Sequence, residues 1–264
     1  MERHDLMPTA VFTADVHLSR HDAERQGLWG RFLEGLRARA SGGEEIELFV
    51  LGDLFEFWHE FLGRPHRRYA PVLEAIGSTV RSGIPVKLLA GNRDWLYGRG
   101  MAATGAEFLG NSIETDICGL RVYVSHGDEL CTRDWSYQAW RRIARSWPLR
   151  ALLGLTPRVV SFGLADLGMR LSKAHQRYKG LEALDIQASA AEGVAARGFD
   201  LVICGHVHVK GWRQLRPEGR EAELITLPAW DGDEPVEVLE LTSEGARFVD
   251  PFGGGGGGAG GAGG

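Results

Sequence analysis

Five short polar clusters constrain the fold of this chain more than any other feature. Most of them directly follow an apolar, β-branched run, and a sheet can bring strand ends that are far apart in sequence to one place. They combine carboxylate and amide oxygens with imidazole nitrogens and contain no cysteine, a donor set that suits Mn²⁺, Fe²⁺ or Zn²⁺ in a hydrolytic pair better than a closed structural zinc site. The clusters are Asp15-Val16-His17, Gly52-Asp53, Gly91-Asn92-Arg93-Asp94, His126-Gly127-Asp128 and Gly205-His206-Val207-His208.

Strand and helix signals alternate in the first half of the chain. Apolar runs predict strands, and apolar residues at helical spacing, such as Phe32 and Leu36, predict helices between them. This alternation indicates an α/β sheet with parallel character, whose ligand sites gather at the carboxyl ends of its strands. The predicted strands are 9–14, 46–51, 86–90, 122–124, 201–204, 224–227, 236–241 and 247–249, and the predicted helices in the first half are 27–40 and 69–82.

The strand signals stop between about residues 134 and 197. This stretch is rich in Trp, Leu and Arg and is interrupted at Pro148 and Pro157, which predicts a helical insertion. We therefore expect a core of residues 1–133 and 198–252, a helical cap of residues 134–197, and a tail of residues 253–264. The tail contains only Gly and Ala and can bury almost nothing, so we expect it to be disordered.

The clusters predict a site for two metal ions. In Asp15-Val16-His17 a strand-like alternation would point both polar side chains the same way and Val16 into the core. Asp53 can bridge two cations, and Asn92 offers a neutral amide oxygen. Two metals about 3.5–4 Å apart clamp phosphoryl oxygens and activate water, so the pattern predicts a phosphoesterase. Arg93 is placed to hold a phosphate oxygen, and Asp94, Asp128 and Glu56 are expected to support the ligands.

Composition excludes several other classes of protein. With 264 residues and a net charge of −5, the chain can form one large domain and has no global nucleic-acid signal. Three widely spaced cysteines argue for a reducing compartment. We find no apolar run that approaches the roughly 20 residues needed to span a bilayer and no signal-peptide pattern, so we expect a cytoplasmic monomer.

The order of the clusters resembles that of the calcineurin-like metallophosphoesterases: Asp-x-His, Gly-Asp, Gly-Asn-x-Asp, a later His and Gly-His-x-His. This resemblance implies an α/β sandwich of two facing mixed sheets flanked by helices, here with an inserted helical cap. The closer similarity is to the pyrophosphohydrolase family of lipid A biosynthesis, which acts on UDP-2,3-diacylglucosamine. It is carried by Arg93 within Gly-Asn-Arg-Asp and by the segments 13–18, 51–58, 126–132, 137–139, 205–208 and 229–230.

The resemblance implies roles for individual residues. Asp15, His17, Asp53 and His208 would hold one Mn²⁺, and Asp53, Asn92, His126 and His206 would hold the other. We expect the catalytic group to be Asp53, Asn92, Arg93 and His126. The implied substrate contacts are Arg93, Asp134, Tyr137, Arg170, Ser172, Lys173, Lys179 and His206. The implied reaction releases 2,3-diacylglucosamine 1-phosphate and UMP.

The predicted cap carries a basic and aromatic surface. Between Asp134 and Lys179 there are nine Arg or Lys residues and two acidic residues, interleaved with Trp135, Trp140 and Trp147. Such a segment suits the surface of an anionic membrane, here the cytoplasmic face of the inner membrane. The alternative is that the apolar residues only pack the cap onto the core while the arginines face solvent.

Three functions are compatible with the pattern. The first is a Mn²⁺-dependent pyrophosphohydrolase of a sugar-nucleotide lipid. The second keeps the metals but acts as a phosphodiesterase or phosphatase on another nucleotide or lipid. The third is a scaffold of the same fold that binds partners without catalysis, although scaffolds usually lose ligands and all seven are present here.

Overall fold

The computed structural model describes residues 8–58, 60, 67–146, 185–230 and 235–253. These residues form eleven strands, five α-helices and two 3-10 turns at Arg67–Tyr69 and Pro217–Gly219. The strands are β1 (Thr9–Thr13), β2 (Ile46–Val50), β3 (Val86–Leu88), β4 (Glu107–Phe108), β5 (Ser112–Ile117), β6 (Leu120–Ser125), β7 (Leu201–Cys204), β8 (Gly211–Leu215), β9 (Ala222–Thr226), β10 (Val238–Thr242) and β11 (Gly245–Val249). The helices are α1 (Ala23–Ser41), α2 (Ala70–Arg81), α3 (Arg99–Ala102), α4 (Trp135–Ala144) and α5 (Ala188–Ala195).

The strands form two mixed sheets. The first has the order β11-β10-β1-β2-β3-β4, and the second has the order β5-β6-β7-β9-β8. Strands β1 to β4 run parallel, and so do β6, β7 and β9, while the remaining pairs are antiparallel. The parallel strands give each sheet several carboxyl ends at one edge, which is where the polar clusters begin.

The two sheets face each other across an apolar layer. Because successive side chains on a strand point to opposite faces, Phe12 enters this layer while Val11 packs on the outer face of the first sheet. Phe12 and Phe49 are paired in register on β1 and β2, and their rings stack with centroids 4.8 Å apart. The second sheet contributes Val124 and Ile203 to the same layer.

Helices cover the outer faces of both sheets. On α1, Phe32, Leu33 and Leu36 are buried, as their spacing predicted, and they pack in one cluster with α2 residues and the outer face of the first sheet. Helix α5 buries Ala191 and Ala195 against the outer face of the second sheet. The predicted sandwich of two mixed sheets flanked by helices is therefore confirmed.

The predicted strands with apolar sequences are all present, with end points that differ from the predicted ones by at most two residues. The sequence analysis did not predict β4, β5 or β8, because all three lie at edges of their sheets and carry exposed polar side chains. Helix α4 lies in the predicted cap, whereas residues 147–184 and the tail 254–264 lie outside the described residues. The division into core, cap and tail therefore stays a prediction. Within the described part of the chain, we find no helix with the length and apolar character required to cross a membrane.

Candidate metal centre

The polar clusters meet where strands of both sheets end. Asp15 and His17 follow β1, Asp53 follows β2 and Asn92 follows β3 in the first sheet. His126 follows β6 in the second sheet, and His206 and His208 follow β7. The loops after β1 and β2 stay hydrogen-bonded to each other, since the backbone N–H groups of Asp15 and His17 donate to the carbonyls of Gly52 and Asp53 at 3.2 and 3.0 Å.

One group of donors forms around Asp15. Asp15, His17 and His208 each offer a ligand atom, and these atoms lie within 4.8 Å of one another. His208 Nε2 lies 3.4 Å and His17 Nε2 lies 3.8 Å from Asp15 Oδ1. Asp15 and His17 are buried, while His208 is exposed at the rim. This group contains three of the four residues predicted for the first metal.

A second group forms around Asp53 and His126. Asp15, Asp53 and His126 offer ligand atoms within 4.8 Å of one another. Asn92 Oδ1 lies 3.0 Å and His206 Nδ1 lies 3.2 Å from His126 Nε2, so the remaining two predicted ligands face the same point. His17 Nε2 is 3.4 Å from Asp53 Oδ2, which places Asp53 between the two groups. The structure thus brings all seven predicted ligands together, and the assignment of each one to a particular ion stays a prediction.

Five of these ligands adopt a left-handed backbone. Among the described residues, seven non-glycine residues have positive φ, and Asp15, His17, Asp53, His206 and His208 are five of them, with φ between 48° and 72°. Asp and His are enriched in this region, yet each such residue costs of order 1 kcal/mol or more. The predicted strand-like alternation of Asp15 and His17 is therefore wrong, because the chain leaves the extended conformation after Thr13. Val16 is buried in the core as expected.

Glycine permits the close packing of these loops. A Cβ atom added at Gly205 would lie 2.5 Å from the Cβ atom of Ala14 and 2.5 Å from Asp15 Oδ2. A Cβ atom at Gly91 would overlap both the carboxylate and the backbone nitrogen of Asp53. The loops therefore approach as closely as backbones without side chains allow.

The electrostatics of the site are those of buried carboxylates facing imidazoles. Burial opposes ionisation of Asp53, but His126 and His17 outweigh it and hold the pKa of this carboxyl well below its usual range. Burial also opposes the charge of His126, yet the carboxylates of Asp53 and Asp15 raise its pKa above the ordinary value. Burial and the neighbouring His126 together lower the pKa of His206 to about 4. His206 is therefore a neutral ligand at neutral pH.

The residues present fit a pair of divalent cations. Asp15 Oδ1 is buried and makes no hydrogen bond within the described residues, so an anionic oxygen is directed into the site without a donor. The Nδ1 atom of His126 lies 2.8 Å from the Leu51 carbonyl oxygen and donates to it, which leaves the lone pair of Nε2 facing the site. Mixed carboxylate, amide and imidazole donors are the ligand types of dinuclear hydrolytic centres. The arrangement is suited to binding metal ions.

Asp94 supports the centre by holding the backbone of the loops that carry the ligands. Its carboxylate accepts hydrogen bonds from the backbone nitrogens of Gly91 and Asp53, both at 3.0 Å, and from that of Phe55 at 3.2 Å. The Tyr97 hydroxyl donates to it at 2.5 Å. Burial and the nearby Asp53 carboxylate raise the pKa of Asp94 to about 6. Asp94 thereby fixes the two loops that carry Asp53 and Asn92, as the sequence predicted.

The predicted substrate residues lie at different distances from the centre. Arg93 is 24% exposed, with its Nε atom 3.4 Å from Asp53 Oδ2, and it lines a cavity of about 720 Å³ that also includes His206 and His208. The ring of Tyr137 stacks on that of His206 with centroids 6.4 Å apart. Asp134 is buried and caps α4 by accepting a hydrogen bond from the Tyr137 backbone nitrogen at 3.1 Å. Arg170, Ser172, Lys173 and Lys179 lie outside the described residues.

The sequence analysis missed two arginines that contact the site. Arg141 Nε and Arg145 Nη2 donate to the buried Asp128 carboxylate at 2.8 and 3.0 Å, and the Tyr137 hydroxyl donates to the same oxygen at 2.5 Å. Although burial opposes the charge, Arg145 and His126 hold the pKa of Asp128 well below its usual range. The signal was the spacing of four residues from Tyr137 to Arg141 to Arg145, which places all three on one face of α4.

This fold and site define a metal-dependent phosphoesterase. The sequence profile of the calcineurin-like phosphoesterases matches residues 8–210, and the chain belongs to this family. It is a metal-dependent hydrolase.

Three curated relatives share a more specific name. The chain is 31% identical to the UDP-2,3-diacylglucosamine hydrolases of Klebsiella pneumoniae and of Nitrosococcus oceani, covering 90% of this chain and 97% and 93% of the relatives. It is 30% identical to the UDP-2,3-diacylglucosamine hydrolase of Neisseria meningitidis serogroup B, covering 92% of this chain and 98% of that protein.

Proposed function

We propose that the chain hydrolyses the pyrophosphate of UDP-2,3-diacylglucosamine and releases UMP and 2,3-diacylglucosamine 1-phosphate. The observation that carries this proposal is the match to hydrolases of that name over nearly their whole length, combined with a site that assembles all seven predicted ligands. Water adds to the α-phosphorus, and the bond from this phosphorus to the bridging oxygen breaks. The bridging oxygen leaves with the sugar phosphate.

We propose Mn²⁺ as the metal, held by the residues listed above for each ion. When bound, a pair of such cations lowers the pKa of water and balances the charge of phosphoryl oxygens. Oxygen-rich donor sets with some imidazole suit Mn²⁺.

Residues around the metal centre would bind the substrate and position the ligands. Arg93 faces the cavity beside Asp53, so its guanidinium is placed to hold an oxygen of the substrate diphosphate. Because the pKa of His206 is about 4, this imidazole carries no positive charge at neutral pH and its lone pair is available to a cation. Tyr137 covers the face of that ring.

The apolar lining of the cavity suits the lipid part of the substrate. Ile186, Val207, Val209 and Leu224 line the same cavity as the metal ligands. Val209 is 66% exposed, so an acyl chain lying there would remove apolar surface from water. A purely polar nucleotide would leave Val209 exposed, which favours the lipid over the other nucleotide substrates considered above.

The reaction is tested with purified protein, Mn²⁺ and UDP-2,3-diacylglucosamine in ¹⁸O-labelled water. We expect UMP that carries the label, no labelled sugar phosphate, and loss of turnover on chelation. Turnover of simple aryl phosphate esters without turnover of the lipid would reject the proposed substrate. It would favour the second function, a phosphodiesterase or phosphatase that acts on another nucleotide or lipid. Label in the sugar phosphate would place the attack at the other phosphorus.

We also propose that α4 contacts an anionic membrane, on the cytoplasmic face of the inner membrane. Trp135 is 79% exposed and Ile143 is 57% exposed, and both lie on the face of α4 opposite to Tyr137 and Arg145. The exposed Arg142 lies beside Trp135 on the helical wheel, seven residues along α4. An exposed Trp beside an exposed Arg and Ile is the composition of an interfacial helix.

Vesicle flotation tests this contact. We expect binding to vesicles with anionic lipid at low salt and weaker binding by a Trp135→Ser, Ile143→Ser double variant. Phe252→Ser, a change of another exposed apolar residue far along the chain, serves as the control. Equal flotation of the double variant and the wild type would reject α4 as the contact.

A further inference from the structure

Arg145 joins three loops that come from different parts of the fold. It is the first residue after α4, and its guanidinium is directed into the protein with 11% of the side chain exposed. Its Nη2 atom donates to the Gly91 carbonyl at 2.9 Å and to Asp128 Oδ2 at 3.0 Å, and its Nη1 atom donates to Asn111 Oδ1 at 3.0 Å. A planar guanidinium with five donors is the side chain that can satisfy three acceptors at once.

Two of these acceptors adjoin metal ligands on opposite sheets. Gly91 immediately precedes Asn92 and Arg93 in the loop after β3 of the first sheet. Asp128 lies two residues after His126 in the loop after β6 of the second sheet. The hydrogen-bond ladder of one sheet does not extend to the other, so the separation of these loops depends on side chains that span the two sheets. Arg145 is such a side chain.

The docking of α4 itself does not depend on Arg145 alone. Arg141 Nε and the Tyr137 hydroxyl also hold Asp128, and Gln138 Nε2 donates to the Asp128 carbonyl at 2.6 Å. Three residues hold the Asp128 carboxylate. Within the described residues, Arg145 is the one of the three that also contacts Gly91. Removal of Arg145 should therefore leave the helix in place and loosen the Asn92 loop on the side that faces His126, while Asp94 still holds this loop to the loop of Asp53.

We infer that Arg145 is a positioning residue that sets the distance between the Asn92–Arg93 loop and the His126 loop. It acts through Gly91 and Asp128 and touches neither the cations nor the substrate. Loss of Arg145 should affect the binding of one ion, because Asn92 and His126 are both predicted ligands of the second metal. The other predicted ligands Asp15, His17 and His208 belong to loops that Arg145 does not contact. The use of Mn²⁺, the assignment of ligands to each ion and the lipid substrate of the turnover assay rest on the proposed function.

The test measures Mn²⁺ binding and turnover of Arg145→Ala. By calorimetry we expect one of two Mn²⁺ sites, the one predicted to be held by Asn92 and His126, to lose about 10–100-fold in affinity, with the other site changed less than threefold. The kcat value should fall by a similar factor at limiting Mn²⁺ while KM changes little, and added guanidinium ion should restore part of both losses. A residue with a merely structural role would lower thermal stability without separating the two metal affinities.

Two matched variants make the result specific. Arg81 also donates to neighbouring side chains, Glu74 and Ser78, but lies exposed on α2, so Arg81→Ala should leave both metal affinities unchanged. Asn111→Ala removes the one acceptor that adjoins no ligand and should also leave them unchanged. If Arg145→Ala does not fold, Arg145→Lys, which keeps the charge but cannot bridge the loops, replaces it. Two wild-type Mn²⁺ affinities in a folded Arg145 variant would overturn the inference, whatever the substrate proves to be.

Discussion

The substitution of Gly205 by alanine tests whether close backbone approach builds the metal centre. The added Cβ atom would lie 2.5 Å from the Cβ atom of Ala14 and from Asp15 Oδ2. Ordinary contact between carbon atoms needs about 3.5 Å, so the loop after β7 and the loop after β1 must separate by about 1 Å. No positive φ is involved at Gly205, so the effect comes from space alone.

The separation would break contacts that hold the ligands. The His206 backbone nitrogen donates to Asp15 Oδ2 at 2.7 Å, and the Gly205 nitrogen donates to the His126 carbonyl at 2.9 Å. A displacement of about 1 Å at a reacting centre costs on the order of 10²-fold in rate. Overpacking of this kind also destabilises a protein by about 1–3 kcal/mol. We expect both effects in Gly205→Ala.

The assay compares Gly205→Ala with Gly30→Ala. Gly30 lies within α1, and a Cβ atom added there meets nothing within 4 Å, so alanine should stabilise the helix by about 1 kcal/mol without affecting turnover. Urea unfolding in chelator reports the free energy of unfolding, and calorimetry with Mn²⁺ reports the site. Gly205→Ala with metal affinities and turnover within twofold of wild type would refute the steric reasoning.

Three further predictions follow from contacts in the structure, two at the metal centre and one in the core beside it. Asp53→Asn should bind metal weakly and lose about 10³-fold or more in turnover, since about 4 kcal/mol of charge stabilisation disappears; activity above a tenth of wild type would reject the bridging role. Because the pKa of His126 is raised in the metal-free protein, its contribution to stability is present below an unfolded pKa of about 6.5 and is lost as pH rises through the folded value. Metal binding must displace this proton, so affinity should rise with pH, and calorimetry in two buffers of different ionisation enthalpy should detect proton release at pH 7. Thr13→Val removes the acceptor of the buried Trp230 indole N–H, which is 2.9 Å away, and should lower the free energy of unfolding by about 1–3 kcal/mol; an unchanged urea midpoint would contradict this.

The sequence was sufficient for the parts of the fold that depend on apolar patterning. Strand β7 is a continuous apolar run, β2 is apolar except for Glu47, and helix α1 shows its buried face by spacing alone. Edge strand β5 reads SIETDI, and its polar residues pair with β6 while facing solvent, so no local signal separates it from a loop. Pairing with a partner strand, which is a tertiary effect, decides its conformation.

The ligands of the site were predictable, but their backbone was not. Residue types and positions after strands identified Asp15 and His17, because such chemistry needs those donors. Their left-handed conformation depends on contacts with the neighbouring loop, such as the hydrogen bond from His17 to the Asp53 carbonyl. The basic composition of the cap predicts that the arginines of α4 face an anionic membrane or, in the alternative, solvent. Hydrogen bonds to Asp128, which lies 13 and 17 residues earlier in the sequence, turn Arg141 and Arg145 inward.

Helix α4 connects the metal centre with the proposed membrane contact. Its inner face, with Tyr137, Arg141 and Arg145, holds the loop of one metal ligand and reaches the loop of another. Its outer face exposes Trp135 and Ile143. Because residues separated by four positions share one face of a helix, a single short sequence can serve both faces without conflict. A displacement of α4 that moved Arg145 away from the Gly91 carbonyl would break the hydrogen bond between them. The position of this helix and the geometry of the second metal site are therefore mechanically linked, and a change on the outer face that shifts α4 should alter the second Mn²⁺ affinity before the first.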